Sequence, residues 1–148
     1  MFDKIIFEKI MKWSENRPQP KGLTNETIKK VSDYFKENFD SCLPQGYIEF
    51  LNVMNGFSYD GHSIFCCYNN DIEKNYPRYA VYDLVTFNTN FYENTDISDY
   101  IILGTSSLDY VGYIKAKNKY VIMTNGTMQH LKEFDTFNEM IMNFLKLS

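Results

Sequence analysis

One stretch at the end of the first third constrains the fold most, because residues 43–56 predict a helix with both ends marked. Pro44 suits the first helical turn, where its missing N–H costs no hydrogen bond, and Asn55-Gly56 can supply the left-handed residue that closes the last turn. Apolar side chains recur at i, i+3, i+4 and i+7 on one face: Tyr47, Phe50, Leu51 and Met54. After Gly56 the pattern becomes alternating and aromatic, so this segment divides a helical first third from a β-rich remainder.

Two further amphipathic helices are predicted before this segment. Apolar residues at helical spacing predict a helix over residues 3–16, and a stretch with two prolines and a glycine ends it. A second helix begins near Thr24 or Asn25, either of which can cap it, and ends near Phe39. Because the connection to the central helix is so short, we expect these two helices to pack together.

The rest of the chain predicts an antiparallel sheet with one short inserted helix. Asp60-Gly61 between β-favouring residues predicts a hairpin. Residues 83–92 have helical spacing but partly strand-like composition, and we assign them to a short helix. Thr136 and Glu139 form a capping box that starts a C-terminal helix packed on the sheet. Four further strands are predicted, at residues 101–104, 109–115, 120–124 and 128–133. The order predicts a single α+β domain over residues 1–148.

Composition limits the classes of partner. The chain of 148 residues has a net charge of −4 and only two arginines, whereas nucleic-acid binders usually concentrate basic residues on one face. We therefore expect no nucleic-acid partner, and the charge suits a basic protein. Three cysteines without framework spacing indicate a reducing compartment, and no run approaches the ~20 apolar residues of a membrane span. Since the N-terminus also has no secretory pattern, we expect a cytoplasmic protein, not bound to membranes and monomeric when free.

No residue pattern predicts a catalytic, metal or cofactor site. His62 and His130 lie far apart, without the spacing or flanking carboxylates of a metal site, and are expected to be a turn-adjacent strand residue and a sheet-surface residue. Any of the three cysteines could be a nucleophile, but free cysteine is mostly buried packing. Residues 104–107 lack the second glycine and the lysine of a phosphate-binding loop. A non-catalytic protein without cofactor is predicted; an enzyme would need a pocket with converging polar groups.

The order of several motifs resembles the SUKH superfamily, which includes yeast cell-wall assembly regulators and many bacterial immunity proteins. The resemblance spans nearly the whole chain and rests on four features: Trp13 before a Pro/Gly loop, Leu43-Pro44-x-x-Tyr47-x-x-Phe50-Leu51-x-x-x-Asn55-Gly56, Ile102-Leu103-Gly104-Thr105-Ser106-Ser107-Leu108-Asp109-Tyr110, and Phe134-Asp135-Thr136-Phe137. It implies one α+β domain with no known catalytic chemistry. Bacterial members typically bind and neutralise a toxin, often a nuclease or deaminase, made by the same cell or its kin.

Tyrosines and carboxylates alternate between the first hairpin and the last helix, and 17% of the chain is aromatic. Tyrosine gives a large contact area at low entropic cost, and carboxylates speed encounter with a basic partner. The candidate partner-binding residues are Tyr59, Asp60, Tyr68, Asp71, Glu73, Tyr76, Tyr79, Asp109 and Tyr110. Each tyrosine has the alternative of covering a sheet edge, and the Asp109 carboxylate that of accepting backbone N–H groups to fix its turn. Trp13 is expected in the core, with its indole N–H bonded to a carbonyl.

The leading hypothesis is an immunity protein that occludes the active site of a cognate basic toxin. Its contact surface would be acidic and rich in tyrosine, built from the segment 59–79 and the sheet. The alternative is an intracellular scaffold or regulatory domain that binds a host-cell protein or peptide, and the genes beside its own would distinguish the two.

Overall fold

The structure, a computed structural model, describes residues 2–67, 83–94 and 99–147. The described helices are α1 (Lys4–Trp13), α2 (Asn25–Phe39), α3 (Gln45–Val53), α4 (Leu84–Asn94) and α5 (Phe137–Phe144). The described strands are β1 (Phe57–Tyr59), β2 (His62–Ile64), β3 (Tyr100–Thr105), β4 (Asp109–Ile114), β5 (Lys119–Thr124) and β6 (His130–Phe134). This order confirms the predicted α+β fold, with three N-terminal helices, one helix inserted between strands and a C-terminal helix. None of the helices in these ranges is long and apolar enough to cross a lipid bilayer.

The helices begin where side chains can bond their free N–H groups. Thr24 Oγ1 accepts a hydrogen bond from Thr27 N at 3.3 Å, which starts α2 as predicted. Thr136 Oγ1 accepts from Glu139 N at 3.1 Å, so the predicted N-cap of α5 is confirmed, while the Glu139 carboxylate accepts from the Thr136 hydroxyl at 3.0 Å and not from the backbone N–H that a full capping box uses. Asp3 caps α1 by accepting from the N–H two residues later, a cap that the sequence analysis did not identify.

The six strands form one antiparallel meander in the order β1-β2-β3-β4-β5-β6. Asp60 and Gly61 both have positive φ, 48° and 74°, which are the signs that a type I′ hairpin turn requires, so this predicted turn is confirmed. Register and side-chain alternation define two faces. The first face carries Phe57 and Tyr120, and the second face carries Tyr110.

Helices cover both faces of the sheet. On the first face, Phe50 of α3 and Phe137 of α5 pack against each other with ring centroids 5.3 Å apart, and Phe137 also contacts Tyr120 of the sheet. All three rings are buried, and burying a ring of this size stabilises a fold by roughly 1.5–3 kcal/mol. A Cβ at Gly46 would lie 2.6 Å from the Cβ of Phe137, so α3 meets α5 at a residue that must be small. On the second face, Phe87 of α4 contacts β4.

Two buried asparagines replace backbone hydrogen bonds that strands would otherwise supply. Asn88 Nδ2 donates to the carbonyls of Leu84 and Ile102, and Asn88 Oδ1 accepts from Ile102 N, each at 2.9 Å. Asn55 makes the same pair of hydrogen bonds to Cys67. Its Oδ1 accepts from Cys67 N at 2.8 Å, and its Nδ2 donates to Cys67 O at 3.1 Å. Each side chain therefore satisfies both polar groups of one buried peptide position.

The predicted end of α1 was wrong. The helix ends at Trp13 and not at residue 16, because Glu15 and Asn16 adopt left-handed conformations with φ of 56° and 55°. Trp13 lies at the edge of the core, half-buried.

The ends of α3 also differ from the prediction in detail. Pro44 precedes the helix as its N-cap, and Met54 after it is extended, with φ of −149°. Gly56 adopts the left-handed conformation, with φ of 79°, while the Asn55 side chain turns inward to Cys67. Tertiary hydrogen bonds, which no local pattern reveals, fix this end of the helix.

Candidate protein-binding surface

The meander brings three turns to one end of the sheet, which we call the hairpin end: residues 60–61, 106–108 and 125–129. Backbone hydrogen bonds hold the turns in place, including one from Asn125 N to Leu108 O at 2.9 Å. The side chain of Leu108 is among the most exposed apolar groups of the described residues, at 76%. The hairpin end therefore gathers residues that are almost 70 positions apart in the chain onto one surface.

Tyr59 and Asp60 lie at the first of these turns. Asp60 is exposed, and its left-handed backbone is one that Asp tolerates. The Tyr59 ring packs edge-on against Trp13 at 5.0 Å between centroids, and the Arg17 guanidinium lies 5.2 Å from the Tyr59 ring centroid. The pKa of the Tyr59 hydroxyl is raised, mainly by its hydrogen bond to the Glu15 carboxylate. The left-handed turn after α1 thus places charged groups of both signs beside an aromatic pair.

Asp109 lies at the second turn, and its backbone rather than its carboxylate holds that turn. Ser106 Oγ accepts from Asp109 N at 3.2 Å, and Asp109 O accepts from Ser106 N at 2.8 Å. Thr105 Oγ1 also donates to Asp109 O, at 3.2 Å. The turn-fixing acceptor that the sequence analysis assigned to the Asp109 carboxylate is therefore the Ser106 hydroxyl.

Tyr110 belongs to the other face of the sheet. The register gives Asp109 the same face as Tyr59, and alternation turns Tyr110 away from both. Its ring packs edge-on against Phe87 and Phe91 of α4, at 5.7 and 6.1 Å, and burial raises the pKa of its hydroxyl. Tyr110 is half-buried under a helix, so the structure brings together Tyr59, Asp60 and Asp109 but not Tyr110.

The other predicted contact residues lie outside the described ranges: Tyr68, Asp71, Glu73, Tyr76 and Tyr79. The hairpin end is therefore the part of the predicted binding surface that lies within the described residues.

A chain of polar side chains on the second face was missed by the sequence analysis. The Tyr100 hydroxyl lies 2.6 Å from His130 Nε2, and His130 Nδ1 lies 3.1 Å from Glu133 Oε2. Because an ionised carboxylate only accepts hydrogen bonds, His130 donates to Glu133 through Nδ1, and its other ring nitrogen is bonded to the Tyr100 hydroxyl. The hydrogen bond from His130 is the main cause that lowers the pKa of Glu133, and Lys117 lies 3.4 Å from the same oxygen.

A β-bulge in β6 explains why His130 and Glu133 can bond to each other. Glu133 pairs with Val121 and His130 with Met123, so Leu131 is the extra residue of β6. Two residues three positions apart, which a regular strand would turn to opposite faces, therefore share the second face. The rings of Tyr100 and His130 meet edge-on, with centroids 5.5 Å apart. His62 is the first residue of β2, as expected. His130 lies in β6 and is hydrogen-bonded to Tyr100 and Glu133.

The described residues do not form a metal site, and their buried cysteines do not form a nucleophilic site. No three His, Cys, Asp or Glu side chains among these residues come close enough to hold a metal ion. Cys42 is exposed, while Cys66 and Cys67 are buried, and burial raises the pKa of Cys66 to about 12. A thiol that stays protonated at neutral pH is a poor nucleophile, so the buried pair is packing.

Comparison with known proteins gives no match: no model of a known protein family fits the chain, and no curated protein is significantly similar to it. The resemblance to the SUKH superfamily therefore rests on the order of motifs in the sequence and stays a prediction.

Proposed function

We propose that the protein is an immunity protein of the SUKH type, which binds a basic toxin protein through the hairpin end and blocks it without catalysis. The observation that carries the proposal is the convergence of Tyr59, Asp60 and Asp109 on one end of the sheet. Two separate sequence segments contribute to it, as a folded docking surface requires. The motif order shared with the superfamily supports the choice of a toxin as partner.

The charge of the hairpin end suits a basic partner. Asp60 lies in the turn between β1 and β2 and Asp109 begins β4, so the two residues lie two to three strand spacings apart, roughly 10–14 Å. The three turns, 60–61, 106–108 and 125–129, contain no lysine or arginine. Carboxylates at the rim of an interface mainly accelerate association with a cationic protein, and the effect weakens as salt is added.

The residues beside the carboxylates are of the kinds that dominate binding energy. Trp, Tyr and Arg are enriched at binding hot spots, and here Tyr59 contacts both Trp13 and Arg17. The exposed Leu108 adds an apolar contact on the neighbouring turn. A partner that covers both turns would remove these groups from water together.

The proposal is tested by purifying the protein with the products of the adjacent genes and measuring association kinetics. Asp60→Asn combined with Asp109→Asn should lower the association rate about 3- to 10-fold at low salt and reduce its salt dependence. Asn tolerates the left-handed backbone at position 60, and the backbone bonds of residue 109 remain, so the fold should be unaffected.

A matched control separates local from net charge. Glu26→Gln combined with Glu37→Gln on α2 changes the net charge equally, at exposed positions away from the hairpin end, and should leave the rate unchanged. Tyr59→Ala should speed dissociation, whereas Tyr34→Ala, at an exposed tyrosine on α2, should not. Equal effects of both charge pairs, or no binding and no neutralisation of any adjacent toxin, would refute the proposal.

A further inference from the structure

A groove of about 380 Å³ opens at the end of the sheet opposite to the hairpin end. It lies where α3 and α5 begin and where β4 turns into β5. Polar and apolar surface both line it, and the lining residues with polar side chains are Gln45, Glu49, Tyr113, Asn118, Tyr120, Asp135, Thr136 and Asn138. The size is within the range of small-molecule and side-chain binding sites.

The aromatic walls of the groove are held in place by hydrogen bonds to other residues of its lining. Tyr113 Oη donates to Asn118 Oδ1 at 2.8 Å, and Tyr120 Oη accepts from Gly46 N at 3.2 Å. The two tyrosine rings pack edge-to-face with centroids 5.1 Å apart. Rings fixed in this way lose little entropy when a ligand stacks on them, so the site is preorganised.

Two helix N-termini border the groove, and one N–H group at each is bonded to a side chain of the protein. Tyr120 Oη takes the N–H of Gly46 at the start of α3. The N-cap of Thr136 on Glu139 N closes the start of α5, and the Glu139 carboxylate lies against its dipole. The helix ends therefore do not make this groove an anion site.

The charge of the groove lining is negative. Its ionisable carboxylates are Glu49 and Asp135, and no lysine or arginine among the described residues lines it. Lys119 outside the groove pairs with Asp135, but the side chains of that pair are 42% and 72% exposed, so water screens it strongly. An incoming cation can share Asp135 with Lys119 at little cost.

We propose that the groove binds the guanidinium group of an arginine side chain presented by a partner protein. The planar cation stacks on the ring of Tyr113, and the carboxylates of Glu49 and Asp135 accept its N–H groups. The amide oxygens of Gln45 and Asn138 provide further acceptors for a group with five donors. A lysine ammonium lacks both the flat face and the fork of donors, so arginine is preferred. The inference does not depend on the proposed function, because the groove and the hairpin end lie at opposite ends.

The probe is N-acetyl-arginine amide, titrated into the isotope-labelled full chain and followed by NMR of the side-chain amide groups of Gln45, Asn118 and Asn138. The arginine probe should give saturable shifts and bind at least tenfold more tightly than N-acetyl-citrulline amide, its neutral analogue of the same shape. Glu49→Gln should weaken binding at least fivefold, and Glu37→Gln, on α2, should not change it.

Free arginine distinguishes a protein side chain from an amino-acid ligand. The capped probe should bind at least as well as free arginine, because the proposed ligand carries no α-ammonium or α-carboxylate. Tenfold tighter binding of free arginine would overturn the assignment to a protein side chain. Equal binding of citrulline and arginine probes, or no saturable shift up to about 50 mM probe, would overturn the guanidinium site itself.

Discussion

Asn88→Ala should destabilise the protein strongly, although it removes only a small polar side chain. Asn88 is fully buried and bonds both backbone groups of Ile102, with each N···O distance at 2.9 Å. Strand β2 has ended before it reaches this position, so the asparagine continues the hydrogen-bonding edge of β3. Alanine would leave the N–H and the carbonyl of Ile102 buried without their partner.

The expected magnitude follows from those two groups. Each buried polar group that loses its hydrogen bond costs about 1–3 kcal/mol, so the variant should lose about 2–6 kcal/mol. A domain of this size is stable by only about 5–15 kcal/mol, which makes the loss a large part of the total.

Urea titration followed by Trp13 fluorescence and circular dichroism measures the effect. With a slope of about 2 kcal/mol per molar urea, the midpoint should fall by about 1–3 M. Asn38→Ala is the matched control, because its side-chain amide is exposed and donates only to the Tyr34 carbonyl one turn earlier. That variant should change the free energy of unfolding by less than about 0.5 kcal/mol.

Hydrogen exchange at a single amide provides a second readout. The Ile102 N–H should exchange much faster in Asn88→Ala, because its acceptor is removed. If both asparagine variants were equally stable, or if Ile102 kept its protection, then Asn88 would not be the group that closes this edge of β3.

Three further predictions concern thiols, glycines and pH. Only Cys42 should react rapidly with a thiol reagent in the native protein, since burial raises the pKa of both thiols at 66–67, and rapid reaction of all three would contradict this. Gly56→Ala should lower the denaturation midpoint more than Gly61→Ala, because both have positive φ but only at position 56 would a Cβ meet strand backbone, at 2.6 Å. The lowered pKa of Glu133 means that its charge stabilises the fold above the unfolded pKa of about 4.3, and this stability is lost as pH falls through the folded pKa. Denaturation across pH 3–6 should therefore show a smaller loss at acid pH in Glu133→Gln, and identical pH profiles would contradict it.

Local signals in the sequence predicted the order of elements because each signal acts within one turn of chain. Thr136 with Glu139 and Asp60 with Gly61 form the predicted cap and turn, since the hydrogen bonds and backbone angles involved span four residues or fewer. The end of α3 was predicted less well. A bond from Cys67 N to Asn55 Oδ1 decides its geometry, and no helical pattern contains that distant partner.

The contacts that were missed arise where a strand departs from strict alternation. In β3 the register shifts between Ile102 and Gly104, and a buried asparagine from α4 satisfies the residue beside the shift. In β6 the extra residue Leu131 brings His130 onto the face that Glu133 already occupies. An inserted residue reverses the face of every side chain beyond it, so alternation read from the sequence fails on one side of each bulge.

Regular side-chain alternation also explains where the predicted contact residues lie at the hairpin end. Between Tyr59 and Asp109 the strands pair without a shift once β3 has passed Gly104, so alternation assigns both residues to one face and Tyr110 to the other. Counting faces from a regular stretch would therefore have separated Asp109 from Tyr110 before any coordinates were known. Composition alone grouped Asp109 and Tyr110 as neighbours of like function. It could not separate them, because it does not record that adjacent residues of a regular strand point to opposite faces.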